Sequence, residues 1–123
     1  MKNFRLAGQS ILVVEDEPLI AMQLRQTLED AGAHVFAATQ LPHASQLARH
    51  PDLSSAVLDY RLGNGNSAAI CAVLHERGVP FVFCSGYDDM QDRWPDVPCV
   101  SKPIDGDRLV DAVVGLRDLA KAA

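Results

Sequence analysis

Positive charge is in the minority in this chain: 11 Lys and Arg stand against 16 Asp and Glu, leaving a net charge of −5. Such a surface repels a phosphate backbone, so direct nucleic-acid binding is not expected. Cysteine is scarce as well. Cys71, Cys84 and Cys99 are odd in number and lack metal-type pair spacing, which argues against a zinc site or a disulfide framework. Cys71 and Cys84 lie in apolar runs, where cysteine behaves as a small core residue, although Cys84 and Cys99 could also pair across neighbouring strands. The four histidines show no clustered ligand spacing. No apolar stretch reaches bilayer length, and residues 1–8 have neither the apolar core nor the cleavage pattern of a signal peptide. These absences predict a reduced, soluble, cytoplasmic protein.

What is present is a chain of 123 residues, 48% apolar and 22% charged, a length and composition that suit one globular domain. It reads as repeated strand–helix units. Ser10-Ile11-Leu12-Val13-Val14 is an unbroken apolar run, as expected of a strand buried on both faces. It ends in Glu15-Asp16-Glu17, with Pro18 at a first helical position. Ile20, Leu24, Thr27, Leu28 and Ala31 then share a helical face, and Gly32 stops that helix. Val35 to Thr39 is a second strand, followed by a short helix behind Pro42. Ala56-Val57-Leu58 is a third strand, ending at Asp59. The stretch 63–66 reads as a loop, and Ser67 as the N-cap of a helix carrying Ile70, Val73 and Leu74. Pro80 to Cys84 is a fourth strand and Val97 to Val100 a fifth, before a last helix striped by Leu109, Val113 and Leu116. Residues 88–98 hold little besides Met90 and Trp94 to face a core, and Pro95 and Pro98 predict a short or irregular fourth helix. Alternating units imply one doubly wound α/β domain with a parallel sheet covered on both faces.

Polar residues stand where the apolar strands stop: Glu15 with Asp16, then Asp59, Ser85 and Lys102. In an open parallel sheet the ligand site lies beyond the carboxyl ends of the strands, so the fold would bring these distant residues together. Asp16, Asp59 and Glu15 crowd carboxylates into one pocket, which calls for a cation, and hard oxygen ligands suit Mg²⁺. Glu15 has the alternative of lying behind the ligands or in solvent. Lys102 adds a mobile positive charge for a phosphoryl oxygen, and Ser85 a hydroxyl. An aspartate nucleophile with a metal, a lysine and a hydroxyl around it is a phosphoryl-transfer site.

The segments ILVVEDEP, AVLDYRL, VFCSG and VSKP resemble, in order and spacing, the signature segments of response-regulator receiver domains, over roughly Ser10 to Leu119. The resemblance implies a five-stranded parallel sheet of flavodoxin-like order 2-1-3-4-5, with residues 1–123 forming one receiver domain (core about 10–119). It implies Asp59 as phosphoacceptor, Glu15 and Asp16 as the acidic pair, Ser85 as switch hydroxyl and Lys102 as the phosphate-contacting lysine. It further implies the Arg61 backbone carbonyl as a Mg²⁺ ligand and a cis Lys102-Pro103 bond. Such a bacterial, two-component signalling switch would catalyse only its own phosphorylation and dephosphorylation. Its partners would be a histidine kinase or phosphotransfer protein and a downstream protein or effector, with dimerisation on phosphorylation left open.

One departure stands out: Cys99 occupies the fifth-strand position where most receivers carry Tyr or Phe. Tyr87, two residues after Ser85, is instead similar to a subgroup whose fourth strand ends Phe-Ala-Thr-Gly-Tyr, which makes Ser85-Gly86-Tyr87 the expected switch segment. Other classes are disfavoured by particular residues. A non-phosphorylated pseudo-receiver would have no need of the intact acidic, hydroxyl and lysine set. A haloacid-dehalogenase-like phosphatase needs a second acid where Arg61 stands, and a flavodoxin-type carrier would not have an acidic turn after the first strand.

Overall fold

The computed structural model describes residues 4–62, 65–85 and 94–122, with only the backbone described for Ser85 and residues 117–122. Gly86, Tyr87 and most of the expected fourth helix (88–93) lie outside the described residues. The order of elements is β1 (Ser10–Val14), α1 (Pro18–Asp30), β2 (His34–Ala38), α2 (Leu41–Leu47), β3 (Ser55–Leu58), β4 (Arg61–Leu62), β5 (Gly65–Asn66), α3 (Ala68–Glu76), β6 (Phe81–Ser85), β7 (Cys99–Ser101) and α4 (Gly106–Ala122). Five strands form one parallel sheet in the order β2-β1-β3-β6-β7. Counting only these five strands, this is the expected 2-1-3-4-5 arrangement.

Each element follows from local chemistry. Pro18 opens α1, because a first-turn position needs no backbone donor. Gly32 ends it at φ +97°, where its missing Cβ matters twice: a side chain there would be strained, and would meet the Ala7 backbone at 3.1 Å. Strands β1 and β3 are buried almost throughout, as expected of strands covered on both faces. Helices α1 and α4 cover one face, packing Leu24, Leu28, Leu109 and Val113 against Ile11, Val13, Val57 and Val82. Helices α2 and α3 cover the other, packing Ala44, Ile70 and Leu74 against Leu12, Val14, Leu58 and Phe83. Packing begins ahead of β1: Leu6 is fully buried on the α1/α4 face, and its N–H donates to Ala31 O at 2.7 Å.

Three expectations are corrected. Residues 65–66 are not simply loop, since β4 and β5 pair antiparallel. The last strand starts at Cys99 rather than Val97, whose N–H is engaged in a turn to Trp94 O at 3.1 Å. Ser67 occupies the N-cap position of α3 but its side chain makes no capping bond. Asn66 takes that role, its Oδ1 accepting from the Ala68 N–H at 2.9 Å.

Candidate functional site

The sheet order sets the site. The chain winds from β1 outward to β2 and then returns to β3 on the other side, so the switch point falls between the ends of β1 and β3. Glu15 and Asp16 follow β1, and Asp59 follows β3. Val14 is level with Leu58 in the sheet, and the Asp59 N–H donates to Val14 O at 2.9 Å. Ser85, the last residue of β6, is level with Ser101 of β7, and Lys102 follows directly. The Lys102-Pro103 peptide is cis. Glu15, Asp16, Asp59, the Ser85 backbone and Lys102 therefore converge on one end of the sheet, while the Ser85 side chain, Gly86 and Tyr87 lie outside the described residues.

Asp59 is buried and held by several donors. Arg61 N–H donates to Oδ1 at 3.2 Å, and Lys102 Nζ donates to Oδ2 at 2.9 Å. Lys102 Nζ also lies 3.2 Å from Glu15 Oε2. That contact is an ion pair without hydrogen-bond alignment, so Oε2 stays buried with no directed donor. Burial opposes the charge on Lys102, but its hydrogen bond and attraction to Asp59, together with the pull of Glu15, outweigh it and raise its pKa.

Glu15 and Asp16 are neighbours with opposite surroundings. Asp16 is exposed, whereas Glu15 is 0% exposed, which removes the alternative of a solvated Glu15. Its Oε1 accepts the Glu17 N–H at 3.2 Å. Desolvation, helped by the Asp59 charge and opposed by the Glu17 and Lys102 contacts, pushes the Glu15 carboxyl up to about 7. Ligand oxygens of Glu15, Asp16 and Asp59 all lie within 4.8 Å of one another. Three hard oxygen donors, one of them a buried carboxylate oxygen lacking a directed partner, fit a small divalent cation such as Mg²⁺. A cavity of about 360 Å³ bordered by Asp16, Gln40, Leu41 and Leu62 opens beside this cluster.

Reading the sequence missed Ser67. Its hydroxyl, fully buried, donates to the Asp59 carbonyl oxygen at 2.6 Å. The available signal was Asn66-Ser67 at the start of α3: two capping residue types in a row, of which one helix end needs only one. None of the three cysteines is in a disulfide, and burial pushes both the Cys71 and Cys84 thiols up to about 12, as inert core residues require. Cys99 is level with Phe83, and Cys84 with Val100. Alternation along the strands therefore sends Cys84 and Cys99 to opposite faces, which excludes their pairing. Among the described residues no helix is long and apolar enough to cross a membrane.

The sequence model of the response regulator receiver domain matches residues 11–114. No curated protein matches the chain. Among solved structures it is similar to the response regulator PhyR from Brucella abortus, with 23% identity and a TM-score of 0.82, covering 98% of this chain and 52% of that one. It is also similar to a response regulator receiver protein from Sinorhizobium medicae, with 22% identity and a TM-score of 0.82, covering 92% and 97%. A third is the signal receiver domain of a putative Luxo repressor protein from Vibrio parahaemolyticus, at 20% identity and TM-score 0.79, covering 93% of each chain. The chain thus spans about half the length of PhyR (52%), and at these identities the likeness shows the fold. With the match over residues 11–114, the chain belongs to the response-regulator receiver domain family.

Proposed function

We propose that the chain is a phosphoacceptor switch that takes a phosphoryl group on Asp59 and changes a protein-binding surface in response. The observation that carries this reading is the Asp59 carboxylate, buried, 2.9 Å from Lys102 Nζ and grouped with Glu15 and Asp16. An Asp59 oxygen attacks the phosphorus of a donor such as a phosphohistidine. A P–O bond forms as the P–N bond breaks, and the leaving imidazole takes up a proton. Lys102 turns from the free carboxylate to a phosphoryl oxygen, and the Ser85 hydroxyl donates to another. Glu15, Asp16, Asp59 and the Arg61 carbonyl would hold Mg²⁺, which neutralises negative charge as the phosphoryl group arrives. Water later attacks the acyl phosphate, releasing inorganic phosphate and returning the carboxylate.

A kinase or phosphotransfer protein supplies the phosphoryl group. Leu19 and Met22, 80% and 66% exposed on α1 beside the acidic turn, give such a donor an apolar foothold. Because Cys99 stands where an aromatic is usual, readout runs through Ser85-Gly86-Tyr87 and the following segment. Residues 1–123 act as one domain in the cytoplasm, on a protein rather than a nucleic-acid partner. Incubation with acetyl phosphate and Mg²⁺ should add a single phosphoryl group by mass spectrometry, absent from Asp59→Asn. Labelling that persists in that variant would refute the assignment.

A further inference from the structure

Ser67 lies eight residues beyond Asp59, at the start of α3, and ties back once to Asp59 and once to the residue after it. Its Oγ donates to Asp59 O at 2.6 Å, and its N–H donates to Tyr60 O at 2.7 Å. The hydroxyl is 0% exposed, so solvent cannot replace it. Nor is it needed at the helix end, where Asn66 caps Ala68. Asp59 is thus gripped at every polar atom: its N–H by Val14, its carbonyl by Ser67, its carboxylate by Arg61 and Lys102. Of these, the Ser67 bond is the one made by a side chain to the backbone of the acceptor itself. A buried carbonyl deprived of its donor would turn to find another, and the carboxylate turns with it.

We infer that Ser67 is a positioning residue for phosphorylation, acting through the Asp59 backbone to hold the carboxylate in line with the incoming phosphorus. The inference rests on the phosphoacceptor reading above. Ser67 bonds the backbone carbonyl of Asp59 and not the carboxylate oxygens grouped with Glu15 and Asp16, so its loss falls on the maximal rate and leaves the donor concentration for half-maximal rate in place.

The test compares the full chain with Ser67→Ala, Ser67→Thr and Ser67→Cys, measuring acetyl-phosphate labelling at saturating Mg²⁺ together with thermal melting. Ser55→Ala is the control: Ser55 is also buried, but it starts β3, at the end remote from Asp59, and its hydroxyl has no partner. Ser67→Ala should slow maximal labelling on the order of ten-fold, the effect of losing one buried hydrogen bond at the reacting group. Ser67→Thr, which keeps the hydroxyl, should return most of the rate. If the extra methyl unfolds that variant, the weaker donor of Ser67→Cys should give a rate between Ala and wild type. Wild-type rates in Ser67→Ala, or an equal loss in Ser55→Ala, would overturn the inference while leaving Asp59 labelling intact. Failure of the wild type to label at all would overturn both readings.

Discussion

The two faces of the sheet are packed with different materials. Under α1 and α4 the described core is aliphatic, built from Ile11, Val13, Leu24, Leu28, Val57, Val82 and Leu109 with no ring among them. Under α2 and α3 the rings run in an edge-to-face chain. Tyr60 meets Phe83 at 5.9 Å, Phe83 meets Phe81 at 5.6 Å, Phe81 meets Trp94 at 5.4 Å, and Trp94 meets His75 at 5.5 Å. The chain starts at the residue after Asp59 and ends at an apolar depression of about 650 Å³ bordered by Trp94, Val79 and Phe81. Cys99 is level with Phe83 on this same side of the sheet. The difference teaches where a change at Asp59 can travel: aliphatic packing holds the sheet, while the ring chain offers directional contacts from the site outward.

The largest expected effects are on stability and should not distinguish the faces. Phe83→Ala should cost about 4 kcal/mol and Leu28→Ala about 3 kcal/mol in urea unfolding, as large-to-small changes in a packed core do. A loss below about 1 kcal/mol at either position would contradict the packing described.

Next comes pH. The Glu15 carboxyl sits at about 7 in the fold against 4.5 as its ordinary value, so the native state binds the proton more tightly than the unfolded chain. Stability without Mg²⁺ should therefore be highest at and below pH 4.5 as far as this group is concerned. It should fall as pH rises through the window from 4.5 to 7, by up to about 3 kcal/mol. Glu15→Gln should flatten that slope, and millimolar-range Mg²⁺ (roughly what a weak carboxylate site needs) should reduce it. An unchanged slope in Glu15→Gln would show that another group sets it.

The smallest effect separates the faces most sharply. Trp94 is the single tryptophan, so its emission reports one end of the ring chain. Phosphorylation should shift that emission in the wild type and in Leu28→Val, but much less in Tyr60→Leu or Phe83→Leu. Equal shifts in all four would break the comparison.

Legibility in the sequence followed the strength of local signals. The run Ser10–Val14 and the helix from Pro18 to a glycine stop were plain, because continuous apolar patterning and helix-end chemistry act within a few residues. The convergence of Glu15, Asp16, Asp59 and Lys102 was legible because parallel topology fixes which strand ends are neighbours. What stayed hidden depends on partners distant in sequence. Nothing in Glu15-Asp16 says that the first acid is buried; that follows from its N–H continuing the sheet to Ala38 O at 3.1 Å and from Lys102 at 3.2 Å. The β4–β5 pair was masked by Gly and Asn, which read as turn formers. Ser67 reads as a cap because local bonding is the usual use of serine there, and only the folded chain returns it to Asp59.

The central claim is that Asp59, and no other carboxylate of the cluster, carries the phosphoryl group. Reduction of the acetyl-phosphate-treated chain with borohydride converts an aspartyl phosphate to homoserine, which peptide mass mapping locates. Homoserine at position 59 alone is the predicted result. Reduction product at Asp16 or Glu15, or none at position 59 in a chain that has gained the phosphoryl mass, would contradict the account.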